Sequence, residues 1–255
     1  MSSTSPACTS PNSQPIAALR AMSLDASVVE RMDYAELRAA IENFLPLKET
    51  QVVFNGKPWR WHKAAEPDRL LDEAVSTDSH SATEIDPFWA VAWRAAHGLD
   101  RYFDRLPLTD ARVLELGCGS GGAGIAAALH GARVTLSDAV DLALLVARLN
   151  SWPVKSQMEY RKLRWADDQL DNSPFPWIIG SDLVYDPSHF PQLEACARRH
   201  LAPGGHLLLS EPNRHTGDRF ATWITQAGWA VDIHQIDLAD QRISIRIFDC
   251  HLPGS

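Results

Sequence analysis

Eight residues near the middle of the chain, Glu115 to Gly122, read Glu-Leu-Gly-Cys-Gly-Ser-Gly-Gly. They follow a short apolar run, Arg112 to Leu116, and precede a run of small apolar residues that ends at His130. Glycines between a strand and a helix let the backbone turn sharply and approach a ligand closely, and the first N–H groups of the helix remain free to bind it. A tight turn alone does not need glycine at 117, 119, 121 and 122, so the spacing points to a ligand loop. Asp138 ends the next apolar run, about twenty residues on, where an acid that binds ribose hydroxyls belongs. Gly117-x-Gly119-x-x-Gly122 satisfies the dinucleotide fingerprint, which keeps a nicotinamide dehydrogenase open. Glu115, two residues before the first glycine, suits a cationic, amine-bearing ligand better than a pyrophosphate.

The elements around this loop alternate. Strands are expected at Arg112 to Leu116, Arg133 to Ser137, Met158 to Leu163, Trp177 to Ser181 and His206 to Ser210. The intervening helices run from Gly121 to His130, Val140 to Leu149, Pro187 to Arg199 and Gly217 to Ala227. Short apolar strands separated by helices imply a largely parallel sheet covered on both faces. Trp229 to Ile236 and Ile243 to Cys250 have no helix between them and should pair antiparallel. The fold class is α/β: a doubly wound, Rossmann-like sheet of seven strands, mostly parallel, with an antiparallel last strand. An N-terminal helical and hairpin extension precedes it. Tyr34 to Leu45 has apolar residues at helical spacing, and Asn55-Gly56 supplies the two positive-φ residues of a hairpin turn within 52–61. Pro67 opens a short helix, and Asp86-Pro87 opens another that carries Trp89 and Trp93. Three regions follow: a disordered arm at 1–22, a helical and hairpin region at 23–109, and a ligand-binding domain at 110–255.

The 255 residues are 45% hydrophobic and carry a formal charge of −8, so a grip on nucleic-acid phosphates is not expected. Arg161, Lys162 and Arg164 are one candidate for a local basic cluster, and exposed charges on a strand are more often just solvated. No apolar stretch approaches a membrane span. Cys8, Cys118, Cys196 and Cys250 form no CxxC pair, and His62, His97, His189 and His215 lack partner spacing, so no metal set is expected. The Ser/Thr/Pro-rich start has neither a basic beginning nor an apolar core, and a cytoplasmic location is expected.

Val113 to Gly121 resembles motif I of the seven-strand S-adenosylmethionine-dependent methyltransferases. Four further segments narrow the resemblance to the protein lysine methyltransferases of methyltransferase family 16. These are Trp93 to Leu99 with Tyr102, Gly131 to Asp138, Leu163 to Trp165, and Gly180 to Tyr185. Ser210 to Arg214 resembles members that act on a flavoprotein subunit. The chain departs from the usual pattern at Ala166, where glycine commonly follows the tryptophan, and in its long N-terminal region. The resemblance implies S-adenosyl-L-methionine as cofactor and a lysine-bearing protein as acceptor. Gly117, Cys118 and Gly119 would then touch the methionine portion, and Glu115 would support the loop or reach the ammonium through water. Asp138 would take both ribose hydroxyls, unless it only caps the next helix. Trp165 would lie on the adenine, and Trp93 would close the methionine end. Ser181 ends a strand where open α/β sheets bind ligands, while Asp182 and Tyr185 would face the acceptor amine. Alternatives stay open: a small-molecule N- or O-methyltransferase, and a cofactor-binding scaffold without turnover.

Overall fold

The computed structural model describes residues 26–67, 94–238 and 242–254. The helices expected from Pro67 and from Asp86-Pro87, with Trp89 and Trp93, lie outside the described residues beyond Pro67 itself.

Two helices open the described chain, α1 (Ala26–Arg31) and α2 (Tyr34–Glu42). Asp33 caps α2 in a reciprocal box. Its carboxylate accepts the Glu36 N–H at 2.9 Å, and the Glu36 carboxylate accepts the Asp33 N–H at 2.9 Å. The hairpin follows as β1 (Leu47–Phe54) and β2 (Lys57–Ala64), longer than the sequence suggested. Asn55 and Gly56 take φ of 47° and 67°, the positive values that a two-residue turn needs. This hairpin is tied down. The Trp59 Nε1–H donates to the Asn150 carbonyl at 2.9 Å, and the Asn150 side chain exchanges hydrogen bonds with both backbone groups of His62. Asn150 also donates to the Ser120 carbonyl at 3.1 Å, so one buried amide joins the hairpin to the glycine loop.

Beyond the hairpin come α3 (Ala95–Phe103), β3 (Arg112–Glu115), α4 (Gly122–Leu129), β4 (Arg133–Asp138), α5 (Asp141–Asn150) and β5 (Met158–Lys162). The remainder is β6 (Phe175–Ser181), α6 (Phe190–His200), β7 (Leu201–Glu211), α7 (His215–Gln226), β8 (Ala230–Leu238) and β9 (Ile243–His251). The seven strands lie in the order β5-β4-β3-β6-β7-β9-β8. All pairings are parallel except those of β9, which enters between β7 and β8 and runs antiparallel to both. Residues alternate between two buried faces. Val113, Ile179, Leu208 and Ile247 face α3, α4 and the hairpin, and Leu114, Ile178, Leu207 and Phe248 face α6 and α7.

Gly98 lets α3 lie directly on β9: a Cβ there would fall 2.7 Å from Cβ of Ile245. Gly98→Ala should gain helix propensity worth about 1 kcal/mol yet lose stability on balance, because overpacking a closed core costs roughly 1–3 kcal/mol and more when backbone must shift. Urea unfolding tests the sign; a more stable variant would show that α3 can slide off the sheet.

Candidate functional site at the carboxyl ends of the strands

From β3 the chain builds outward through β4 to β5, then crosses to β6 and builds the other way. The reversal lies between β3 and β6, the place where open α/β sheets hold ligands beyond the carboxyl ends of their strands. The glycine loop leaves β3 there, and Ser181 and Asp182 leave β6.

Gly117, Gly119 and Gly121 all adopt positive φ, at 54°, 51° and 88°, so a side chain at any of them would be strained. Gly117 also leaves a cradle. A Cβ there would lie 2.9 Å from Cδ2 of Leu183 and 3.3 Å from Cζ2 of Trp165. Trp165 is thereby brought to the glycine loop, and Arg199 holds its carbonyl at 2.6 Å. Cys118 is buried, its N–H donates to the Ser137 carbonyl at 2.9 Å, and burial keeps its thiol well above the usual range. It is a packed residue and no nucleophile.

Glu115 is buried beneath the loop. Its Oε2 accepts the Gly124 N–H at 2.8 Å, satisfying a first-turn donor of α4 whose N-cap, Gly121, has no side chain to offer. The geometry is that of loop support. Burial pushes the Glu115 carboxyl up to about 8, against the pull of the Gly124 N–H. The folded chain thus holds a proton between about pH 4.5 and 8 that the unfolded chain releases, and stability should fall as pH rises through that window and level off above it. Glu115→Gln stays neutral and should remove one proton's share of that slope, up to about 1.4 kcal/mol per pH unit. Urea unfolding of both proteins across the window decides it: parallel profiles would mean that Glu115 is ionised in the fold.

Asp138 ends β4 with both oxygens turned to backbone. Oδ2 accepts the Gly119 N–H and Oδ1 the Val140 N–H, each at 2.9 Å. Val140, not Asp138, occupies the N-cap of α5, so the carboxylate braces the turn into the helix and reaches across to the glycine loop. A carboxylate oxygen can accept more than one such bond.

Across the reversal, Asp182 takes φ 61°, an uncommon conformation for a residue with a side chain. Its N–H donates to the Ser210 carbonyl at 2.7 Å. Its buried carboxylate is gripped at both oxygens by Arg214, Nη1 on Oδ1 and Nη2 on Oδ2 at 3.0 Å. Burial raises the Asp182 carboxyl, and the guanidinium pulls it part-way back. Sequence reasoning placed Asp182 in the site but did not assign Arg214 a role there. Arg214 is itself aimed by a second layer. Glu211 accepts its backbone N–H at 2.6 Å, and Arg246 bridges Glu211, Asp218 and the Arg214 carbonyl at 2.5, 2.5 and 2.9 Å. Gly217 is required beside them, since a Cβ would come 2.7 Å from Oε1 of Glu211.

Ser181 and Ser210 are register partners on β6 and β7. Among the described residues their buried hydroxyls, with that of Thr216, have no hydrogen-bond partner. Buried hydroxyls normally find one, so the strand ends present polar groups suited to a ligand. Tyr185, half-buried, meets the ring of His189 edge-on at 6.0 Å, and His189 meets Trp165 in the same manner at 6.4 Å. These three rings wall one side of the reversal, and His189 is an aromatic spacer that the sequence left as merely structural. Trp93 lies outside the described residues. Tyr102, carried by the same motif, packs over β8 and β9, its ring 5.0 Å from that of His234 and its hydroxyl donating to Asp249. The basic cluster is neutralised: Arg161 meets Glu159 at 3.3 Å, Lys162 meets Asp141 at 2.7 Å and Arg164 meets Asp168 at 3.4 Å. No helix of the described residues is long and apolar enough to cross a membrane.

A family model described as "Lysine methyltransferase" matches residues 86–227. The chain is 38% identical over 136 residues to protein N-lysine methyltransferase METTL21A of Xenopus tropicalis, covering 51% of this chain and 63% of that protein. It is 33% identical over 153 residues to the ubiquinone biosynthesis O-methyltransferase of Xylella fastidiosa strain 9a5c, covering 53% and 61%. The chain thus spans less than two thirds of the length of these curated relatives. Among solved structures, the glycopeptide N-methyltransferase MtfA complexed with S-adenosyl-L-methionine shares the fold. Its TM-score is 0.55 at 16% identity, over 63% of this chain and 95% of that one.

Proposed function

The chain belongs to the lysine methyltransferase family, and we propose that it transfers a methyl group from S-adenosylmethionine to a lysine side chain of another protein. One observation carries the reading: a glycine loop braced by Glu115 and Asp138 faces a buried, guanidinium-held carboxylate, Asp182, across the strand-order reversal.

The residues present fit the cofactor. Gly117 leaves a cradle that any Cβ would fill, the Asp138 carboxylate lies at the glycine loop on the Gly119 N–H, and among the described residues the buried Ser181 hydroxyl has no hydrogen-bond partner. Gly117, Cys118 and Gly119 would hold the methionine end through backbone, and Trp165 would cover the adenine. Glu115 would hold the loop in place; a cation arriving above it would favour its ionised form. When bound, the cofactor supplies an electrophilic methyl on a sulfonium, which a neutral amine takes up as the carbon–sulfur bond breaks.

On the acceptor side the difficulty is the lysine proton, because an amine with a reference pKa of about 10.4 arrives charged. A lone carboxylate would hold that charge in place. Arg214 changes the balance: with both Asp182 oxygens bound, the pair is close to neutral and does not favour the ammonium over the amine. Desolvation can then lower the amine's pKa, and its proton leaves to solvent before attack. Asp182 and Tyr185 would align nitrogen, methyl and sulfur, the main source of rate in such a transfer. Among the described residues the three cysteines, Cys118, Cys196 and Cys250, are free and buried, which supports a reducing compartment, and we propose a cytoplasmic location.

Calorimetric titration should show binding of S-adenosylhomocysteine and none of NAD; the opposite pattern would sink the cofactor assignment. Methyl-labelled cofactor added with a cell lysate should put label into protein, on lysine. Label in small molecules alone would replace the acceptor with a metabolite, as in the O-methyltransferase relative.

A further inference from the structure

At the opposite end of the sheet, away from the proposed methyl-transfer site, β7 and β9 bring together three side chains that the proposed function does not use. His206 on β7 is the register partner of His251 on β9. Asp249 precedes His251 by two residues, so all three side chains project from one face. One possible ligand atom from each lies within 4.8 Å of the others. The carboxylate of Asp249 is nearly buried and sits 2.6 Å from Nδ1 of His206, whose side chain is 35% exposed and gives access from solvent. Nδ1 of His251 is buried and has no partner among the described residues.

We propose that His206, Asp249 and His251 form a binding site for a divalent transition-metal ion, zinc by chemistry. Two imidazoles and a carboxylate are the borderline donor set that zinc takes, with a fourth position left to water. Metal–ligand bonds of about 2.0–2.2 Å put neighbouring ligand atoms roughly 3.4 Å apart in a tetrahedron. The three ligand atoms, now within 4.8 Å of one another, would close to that spacing on binding. Binding replaces the hydrogen bond between His206 and Asp249 with two bonds to metal, releases any proton those ligands carry, and gives the orphaned His251 nitrogen a partner. The surroundings already orient the ligands. Trp177 stacks on the His206 ring at 5.0 Å, and the Tyr102 hydroxyl donates to the second oxygen of Asp249 at 3.2 Å. Such outer partners fix ligand geometry in metal sites. Asp232, the register partner of Asp249 on β8, adds negative charge beside the site.

His206 lies four residues before Ser210 on the same strand, roughly 13 Å away along it, so the ion would touch neither cofactor nor acceptor. Its effect is to clamp the antiparallel strand β9 to the parallel sheet. The test uses the untagged full chain, stripped with a chelator and titrated with Co2+ and then Zn2+. One Co2+ per chain should bind with the visible absorption of a low-coordinate nitrogen and oxygen site, and Zn2+ should displace it. At a hundredfold excess over Kd, Zn2+ should raise Tm by roughly 5–10 °C. Asp249→Asn and His251→Gln should each weaken binding by at least tenfold, and Tyr102→Phe by about tenfold. No saturable binding by the wild-type chain at about 100 μM metal would overturn the proposal. So would thiolate-to-cobalt charge transfer, or unchanged binding in both ligand variants.

Discussion

Replacing Asp138 with Ala should weaken S-adenosylhomocysteine binding by at least about tenfold while the chain still folds. Two hydrogen bonds from ribose hydroxyls to a carboxylate contribute roughly 1.5–3 kcal/mol each, so the loss could reach several orders of magnitude. The same carboxylate also holds the N–H groups of Gly119 and Val140, and its removal loosens the loop whether or not ribose is bound. The two effects separate with a second ligand. Wild-type protein should bind the ribonucleoside cofactor product more tightly than its 2′-deoxy analogue, by about tenfold or more. Asp138→Ala should bind both equally weakly, as expected when the group that read the hydroxyl is gone. If the variant keeps the wild-type preference, Asp138 acts through the glycine loop alone and something else reads the ribose.

Much of this arrangement was legible because it is local. Strand, glycine loop and helix follow one another within Arg112 to Leu129, and the apolar periodicity that marks each element is the same pattern that buries it. Asp138 was legible for the same reason, ending a strand that must lie beside β3. Partners far apart in the chain were not. Nothing near Asp182 announces that Arg214 will grip it, since the two meet only when β7 lies beside β6 and Asp182 turns back through a positive φ. A signal existed in retrospect: an arginine three residues past the end of β7 must lie over the same edge as the end of β6. Asn150 falls just past the helix expected from Val140 to Leu149, yet its amide ties His62 and Ser120 together across the core. The position of β9 between β7 and β8 also escaped the pattern, because alternation tells which face a residue takes and not which neighbour its strand finds. That placement sets His251 opposite His206, with Asp249 two residues earlier on the same face.

The Asp182–Arg214 pair offers the sharpest separation of binding from chemistry. Asp182→Asn keeps the shape and tolerates the left-handed backbone at φ 61°, but it removes the charge that Arg214 holds. Arg214, about one third exposed, can turn toward solvent, so the fold should survive. Methyl transfer to protein should then fall on the order of a hundredfold, as lost alignment commonly costs, with cofactor affinity little changed. Tyr185→Phe should be milder if the ring only walls the lysine channel, and as severe if its hydroxyl places the amine. Arg214→Gln attacks the same pair from the other side and leaves a buried carboxylate without its guanidinium. That carboxylate either takes up a proton or draws the ammonium form of the acceptor. Its activity should fall as well, and should recover partly as pH rises, because more acceptor then arrives neutral; Asp182→Asn should show no such added pH dependence. If the two residues work as one unit, the double variant should be no slower than the worse single one. Losses that multiply in the double variant would mean that Arg214 acts on the acceptor independently of Asp182. Normal turnover in Asp182→Asn would move the acceptor site away from the end of β6 altogether.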